Sequence, residues 1–437
     1  MTAEPMDSLV YLAYSFPPVS SGSNTRNLLL PKYLPRFGWR FNVLTVSNPR
    51  GMPLDLELPE KVPEGTLVRK VHHHDPMSIL RRLAGKGKEP STTSPGPTRA
   101  GSSFRDCLRS YLLFPDRLIT WMPKVVPEGV RLVRETGSSL ILSAGPHHSL
   151  HLHAWMISRI TGIRWVPYFG DLWVYDGYVR FPPGPIRAAH RAMERAVVRN
   201  ADAIITTTPR SSDYFRDRYG ADCPPCFEMV NGYDPETDPP PKPRPEEERK
   251  GERFTVTFTG NLVGENTPDY LPLGLDRFFS LHPDAPVRLV MVGRLPTNYA
   301  KKLSSVGNGQ VVEFRGSVPS MEAREHQRKA DLLLTFLEDR PGNEVKNSAK
   351  LAEYVSAGKP VLAIAPAGDL TDFVRRMEAG YVSKPDPEAV ADVMERILAD
   401  WRNGSLKGPA DPEKAAEILD MRRGISQLAE FLRQVVN

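Results

Sequence analysis

The sequence predicts an α/β protein made of two doubly wound parallel-sheet domains. Three observations carry this. Short apolar runs of strand-forming residues alternate with helical stretches, as βαβ units require. The alternation stops at Asp234 to Gly251 (DPETDPPPKPRPEEERKG), where consecutive prolines and dense charge form a linker that cannot bury a core. It then starts again and runs on toward the C-terminus.

Leu9 to Tyr14 is the first buried strand. After a loop from Phe16 to Asn24, Arg26 to Phe37 reads as a helix with Leu28, Leu29, Tyr33 and Leu34 inward; Pro31 is expected to kink or delay it. Phe41 to Val46 completes an opening βαβ unit. Thr66 to Val71 alternates as a strand, and His72-His73-His74 after it reads as a solvated strand end rather than a metal site. Gly85 to Ser103 has the composition of a flexible insertion. Leu140 to Ser143, Trp165 to Phe169 and Ala203 to Thr207 are further strands, with helices over His151 to Thr161 and Pro185 to Asn200.

Beyond the linker, strands are expected at Phe254 to Thr259, Val287 to Val292, Val311 to Phe314, Asp331 to Phe336 and Val361 to Ile364. Helices are expected at Tyr270 to His282, at Met321 to Ala330 and in the short stretch opened by Ser348-Ala349-Lys350. Pro412 to Val436 reads as one long helix crossing back to the first domain. The expected parts are therefore a first domain over 1–235, a linker over 236–251, a second domain over 252–411 and a final helix over 412–437.

A length of 437 residues suits two or three domains, and a net charge of +5 is mild. It fits an anionic small ligand or an anionic membrane surface, and is too weak to argue for nucleic acid. No run approaches the roughly 20 apolar residues of a membrane span. The N-terminus (MTAEPMDS) has no apolar signal core, so a cytoplasmic protein is expected. Cys107, Cys223 and Cys226 form no disulfide framework. Cys223-Pro224-Pro225-Cys226 has redox spacing but lies in a Pro-rich stretch, and reads as a plain loop.

The candidate site residues sit at strand ends and helix starts. In Asn347 to Pro366 (NSAKLAEYVSAGKPVLAIAP), Ser348, Ala349 and Lys350 open a short helix and Glu353 follows one turn later. Free N–H groups and a positive dipole end favour phosphate there, and a carboxylate one turn on suits sugar or ribose hydroxyls. Gly22-Ser23 precedes the first helix and would let backbone approach a diphosphate; a plain βα turn is the alternative. It lacks the G-x-G-x-x-G of a dinucleotide enzyme. Gly260-Asn261 and Gly293-Arg294 end successive strands, the second with a cation suited to phosphate, the alternative being a solvated loop arginine. His147, His148 and His151 follow a strand and are candidates for proton transfer or oxyanion binding, against a purely structural role. Asp171, after Gly170, is a candidate catalytic carboxylate or a helix N-cap.

Taken in order, these segments resemble the family 4 glycosyltransferases of the GT-B fold, in the branch that builds bacterial and archaeal polysaccharides. Tyr14-Ser15-Phe16-Pro17-Pro18 with Gly22 is similar to the family's opening loop. Lys32-Tyr33-Leu34 through Gly38-Trp39 and Val43-Leu44-Thr45 resembles its "K-Y-L…G-W-x-V-x-V-L-T". Phe114-Pro115-Asp116-Arg117 with Trp121, Thr161-Gly162-Ile163-Arg164-Trp165, Phe169-Gly170-Asp171-Leu172-Trp173 and Asn231-Gly232-Tyr233-Asp234 resemble later elements.

The resemblance implies two Rossmann-like domains facing a cleft, with the C-terminal helix returning to the first. It implies retaining transfer from a nucleoside diphosphate sugar to a glycan or lipid-linked acceptor, without a metal. The first domain would take the acceptor and the second the donor. Backbone at Ser348, Ala349 and Lys350 would hold the diphosphate, and Glu353, the second glutamate of the family's E-x7-E, the ribose. Three positions depart from the pattern. Val345 stands where the first glutamate belongs, with Glu344 one place off. Asn261 replaces a usual basic residue, and Gly170 replaces the arginine of "F-R-D". Arg294, Arg340, Lys346 or Lys350 would have to supply the missing charge.

The expectation is a glycosyltransferase of cell-surface polysaccharide or glycolipid assembly. Its partners would be a nucleotide-sugar donor and a glycan or lipid-linked acceptor, with peripheral membrane contact through Leu112, Leu113, Phe114 and Trp121 set against ordinary core packing. The rivals are a nucleotide-sugar epimerase of the same fold and a non-catalytic nucleotide-sugar or glycan-binding subunit.

Overall fold

The computed structural model describes residues 6–49, 52–74, 114–175, 184–237, 253–262, 267–409 and 411–437. They form two compact units, Met1–Val230 with Met421–Asn437, and Asn231–Asp420.

Unit 1 is built on β1 (Asp7–Ala13), β2 (Trp39–Val46), β3 (Leu67–Val71), β4 (Leu140–Ala144), β5 (Arg164–Phe169), β6 (Ile204–Thr206) and β7 (Cys226–Glu228). Their order is β3-β2-β1-β4-β5-β6-β7, with every ladder parallel. The chain winds outward from β1 to β3, then crosses back to place β4 beside β1. Ala13 pairs with Ala144, so the loops leaving β1 and β4 emerge side by side at this reversal of order. Helices α1 (Asn24–Tyr33), α2 (Met122–Thr136), α3 (Ser149–Thr161), α4 (Pro185–Asn200) and α5 (Pro209–Tyr219) accompany the sheet.

Pro31 lies inside α1 without ending it. The helix instead tightens into a 3₁₀ turn over Leu34–Phe37, closed by Gly38 at φ 82°.

Unit 2 repeats the plan with β8 (Phe254–Thr259), β9 (Val287–Val292), β10 (Val312–Gly316), β11 (Leu332–Phe336), β12 (Val361–Ile364) and β13 (Gly380–Ser383), ordered β10-β9-β8-β11-β12-β13 and all parallel. Its helices are α6 (Tyr270–Leu281), α7 (Thr297–Ser304), α8 (Ser320–Lys329), α9 (Ala349–Ser356), α10 (Asp369–Arg376), α11 (Pro387–Arg402) and α12 (Pro412–Leu419). Phe254, Phe258, Phe278, Met291, Leu332 and Ile397 centre its core.

The final helix α13 (Met421–Val436) belongs to unit 1. Ile425, Leu428, Ala429 and Leu432 join the core beside Leu30, Tyr33 and Trp39, whose indole N–H donates to the Ala429 carbonyl at 3.0 Å. Arg433 donates to the Phe37 carbonyl.

The structure corrects several expectations. The single helix over Pro412 to Val436 is two, α12 and α13, broken at Asp420. There Tyr233 N–H bonds the Leu419 carbonyl at 2.9 Å and Tyr233 bridges Asp420. Asn231–Asp234 therefore lies in unit 2, and the chain changes unit after Val230 rather than at 235. Cys226 opens the edge strand β7 rather than a loop, and its Sγ lies 3.7 Å from that of Cys223.

His73 is not a solvated strand end. It is buried, with Nε2 2.9 Å from Thr120 Oγ1. Trp121 is fully buried and belongs to the interior, and the half-buried Phe114 packs on His190 at 4.5 Å. The insertion at 85–103, the segment 104–113 with Cys107, and most of the 236–251 linker fall outside the described residues.

Helices α5 and α11 went unread, although each begins with proline as the correctly read α4 does. Proline suits the first helical turn, and Thr208 and Asp386 cap these helices through Ser211 N (3.3 Å) and Ala389 N (3.0 Å).

Candidate functional site

In unit 2 the loops after β8 and β9 are stitched together through backbone. Gly260 N–H donates to Val292 O (2.8 Å), Leu262 N–H to Arg294 O (2.8 Å) and Gly293 N–H to Gly316 O (2.6 Å). Asn261 Oδ1 accepts from the Arg294 N–H at 2.9 Å, which places the exposed Arg294 at the strand end. Gly260 (φ 133°) and Gly293 (φ 122°) adopt backbone that side chains avoid. A Cβ on Gly293 would overlap the Gly260 carbonyl.

Helix α9 points its start at this edge. Ser348, its N-cap residue, makes no side-chain capping bond. Leu351 N–H bonds the Ser348 carbonyl at 2.9 Å, while the N–H groups of Ser348, Ala349 and Lys350 before it have no acceptor one turn back in the helix, so they and the positive dipole end favour an anion. Lys350, on the first turn, runs beneath Gly260, its Nζ 2.7 Å from where a Gly260 Cβ would be and 4.2 Å from the Phe258 ring centroid. Burial pushes its ammonium down to about 8, opposed by Glu353. It stays mostly charged at pH 7.

Glu353 lies three residues on, on the same helix face and exposed. Its Oε2 accepts from Gln327 Nε2 at 3.0 Å, and the same amide donates to Thr259 Oγ1 at 2.9 Å. Gln327 is 2% exposed on α8. Next along α9, the buried Tyr354 Oη accepts from Thr259 N–H at 3.0 Å. The helix is thus pinned to the end of β8, and Glu353 is held through one oxygen while the other faces outward.

At the departing positions, Val345 is 8% exposed and packs as core. Glu344 does not replace the missing glutamate: Oε2 accepts from Gly342 N–H at 2.7 Å, and its carbonyl is packed on Gly368. Arg340 is paired with Glu338. Asn347, directly before the α9 start, has a buried side-chain amide whose nitrogen and oxygen both lack partners.

In unit 1 the candidate residues collect beyond β4 and β5. His148 stacks on Trp173 at 4.8 Å with an interplanar angle of 7°. Trp173 donates to His190 at 3.0 Å, and Val174 N–H to the buried Glu194 at 2.9 Å, so α4 fixes the segment carrying Asp171. No helix starts at Asp171, which excludes the N-cap alternative. His147 takes the left-handed conformation (φ 76°) with its ring edge-on to Tyr14. Burial holds His147 below the ordinary imidazole range and His148 at about 4, so both are neutral at pH 7. The start of α3 is not open to an anion, because Asp116 occupies it, accepting from Ser149 N–H (2.9 Å) and Ser149 Oγ (2.6 Å). Gly22 is exposed with free space around it, and Ser23 N–H donates to Ser21 Oγ at 3.2 Å.

A cation does stand beside Gly170. Arg26 Nη1 lies 3.3 Å from where a Cβ at 170 would begin, so charge absent from position 170 arrives from α1. Arg26, Gln327 and Asn347 were missed from sequence. Only Arg26 left a signal, a basic residue on the helix directly after the Gly22 loop.

Residues 253–400 match the family model described as "Glycosyl transferases group 1", and residues 21–225 match the "Glycosyl transferase 4-like domain". The fold is shared with sucrose-phosphate synthase from Thermosynechococcus elongatus (16% identity, TM-score 0.67, 98% of this chain and 99% of that one). It is shared with Anabaena Alr3699/HepE, solved in complex with UDP and glucose (16% identity, TM-score 0.63, 98% and 100%). It is shared too with WaaG, a glycosyltransferase involved in lipopolysaccharide biosynthesis (14% identity, TM-score 0.56, 97% and 99%). No curated protein matches by sequence. Two parallel Rossmann-like sheets of this kind define the GT-B class. With matches on both halves, the chain belongs to the group 1 and 4-like glycosyltransferases and is an enzyme of that family.

Among the described residues no helix is long and apolar enough to cross a membrane, and no three His, Cys, Asp or Glu side chains gather to hold a metal.

Proposed function

We propose that this glycosyltransferase uses a nucleoside diphosphate sugar and transfers the sugar, with retention, to a glycan or lipid-linked acceptor in cell-surface polysaccharide or glycolipid assembly. The observation that carries the donor assignment is the α9 start. It offers free N–H groups, Lys350 beside them, and Glu353 held by Gln327 with one oxygen free. The N–H groups of Ser348, Ala349 and Lys350, with the Lys350 ammonium and Arg294, would stabilise charge building on the departing diphosphate. Gly260, Asn261 and Gly293 let that group approach backbone. Glu353 would accept from the ribose hydroxyls.

Unit 1 would handle the acceptor. A histidine held at about 4 is a weak base at pH 7, so His148 serves as a hydrogen-bonding group, with His147 beside it. Asp171, the carboxylate of the neighbouring segment, is the anionic candidate for the acceptor proton. No cofactor enters this proposal. A lipid-linked acceptor would bring the enzyme to the cytoplasmic face of a membrane.

Calorimetric titration with UDP-, GDP-, ADP- and TDP-sugars tests the donor. One class should bind, and Glu353→Gln should weaken it about tenfold or more, the loss of a charge-assisted hydrogen bond. The exposed position of Glu353 predicts an unchanged melting temperature. Equal affinity in the variant would remove Glu353 from the site, and no donor binding at all would sink the proposal. Release of an epimerised sugar without transfer would favour the epimerase.

A further inference from the structure

Arg26 is 5% exposed, yet no carboxylate faces it among the described residues. Its partners are phenols: Nε donates to Tyr11 Oη at 3.3 Å, and the guanidinium lies 4.2 Å over the Tyr168 ring. Tyr11 passes its own proton to Asn27 Oδ1 at 2.8 Å, and Asn27 donates to the Ser15 carbonyl. Asn27 therefore holds the loop after β1, and Arg26 beside it faces no carboxylate among the described residues.

The magnitudes make this imbalance informative. Removing an ion from water costs several kcal/mol even after relaxation. A cation–π contact returns up to about 2 kcal/mol and a hydrogen bond about 1. These contacts fall short of what an apolar side chain of the same length would give. An arginine kept under those terms points to an anion supplied from outside.

The surroundings fit that source. Position 170 is glycine, and a Cβ there would sit 3.3 Å from Arg26 Nη1 and 3.0 Å from the Gly145 carbonyl. Ser143 Oγ accepts from Trp165 Nε1 at 3.0 Å and lies 2.9 Å from His151 Nδ1. When Ser143 donates to Nδ1, the ring proton is on Nε2, a buried atom without a partner, 3.2 Å from where a Cβ on Gly145 would be. His148 Nδ1, also unpartnered, is 3.7 Å from the same point. Arg26 and the unpartnered His151 Nε2 thus both lie at the carboxyl ends of the strands, beside Gly170 and Gly145, near the reversal of strand order where doubly wound sheets take ligands.

We propose that Arg26, with Gly170 and His151 in the tautomer that carries its proton on Nε2, forms an anion subsite in unit 1 for a phosphoryl or carboxylate oxygen of a substrate. The anion belongs to an acidic group on the acceptor. The proposal does not rest on the donor site assigned to α9.

The test uses the full chain and inorganic phosphate and pyrophosphate as probes, in a Lys350→Met background that weakens the α9 site. Calorimetry should show binding that Arg26→Met reduces about tenfold or more and Arg26→Lys partly keeps. Arg26→Met should melt at or above the parent temperature, because an unbalanced buried charge is gone. UDP-sugar titration checks the source: unchanged affinity in Arg26→Met is expected of an acceptor subsite, and lowered affinity would overturn the acceptor assignment. Absence of probe binding at millimolar concentration, or unchanged binding in Arg26→Met, overturns the subsite. If Arg26→Met fails to fold, Arg26→Lys decides: a folded variant with unaltered probe affinity overturns the subsite, and one with weakened affinity supports it.

Discussion

Unit 1 and unit 2 share one architecture and finish their strands in opposite ways. At the edge of unit 2, backbone dominates: Gly260 and Gly293 press together, and α9 begins without a side-chain cap. At the edge of unit 1, side chains dominate. His148 lies on Trp173, His147 meets Tyr14, and Asp116 fills the start of α3. A parallel sheet provides the same helix start in both. Whether that start takes an outside anion depends on whether the protein has put its own carboxylate there. Unit 1 has done so at α3 and has placed its unbalanced charge on Arg26 instead.

The largest effect should come from breaking the backbone edge. Gly293→Ala adds a Cβ that overlaps the Gly260 carbonyl at a φ of 122°. A cost of about 3 kcal/mol or more is expected, read as a lower denaturant midpoint. A midpoint within error of the wild type would show that the two glycines separate easily.

A smaller loss should follow Asp116→Ala, which strands Ser149 N–H, Ser149 Oγ and Leu118 N–H. About 2 kcal/mol is expected. Burial raises the Asp116 carboxyl, but His147 and the hydrogen bonds from Ser149 and Leu118 outweigh it and hold it below its ordinary value. Its stabilisation is therefore present at neutral pH and lost as pH falls through the depressed folded value. Denaturation at stepped acid pH should show that slope in the wild type and not in the variant.

The smallest effect sharpens the comparison at α9. With Lys350 at about 8, pyrophosphate affinity should fall a few-fold between pH 7 and 9. Folding stability should move the other way. The unfolded lysine binds a proton that the folded one releases, so stability rises with pH from about 8 toward 10.5. Lys350→Met should remove both trends, and a persistent affinity slope would assign the charge to another group.

Much of the fold was legible because parallel strands and amphipathic helices write their periods into the chain. Phe254–Thr259, Val287–Val292 and Pro185–Asn200 have the limits expected of them. The misses have no single cause: α2, α7 and α10 went unread as well as α5 and α11, while α4, which also starts at a proline, was read. Pro209 and Pro387 start helices, while β7 has only three residues and takes its identity from pairing with β6. The α9 start was legible because helix, strand and carboxylate lie within 20 residues, from Asn347 to Pro366. Gln327 was not, since its bond to Glu353 crosses from one helix to another.

Against the family resemblance the sequence marked Val345 as a departure; by itself it determined the two-sheet architecture and the helix start of α9 with Glu353 one turn on. Local period and local spacing set these, and neither needs the rest of the chain. Only the tertiary structure decided which groups are already satisfied. Glu344 and Arg340 turned out to be occupied, Asp116 closed one helix start, and Arg26 emerged as a buried cation with no carboxylate opposite it among the described residues. The reason is physical: a charge is costly or harmless according to what surrounds it, and those surroundings come from residues far apart in sequence.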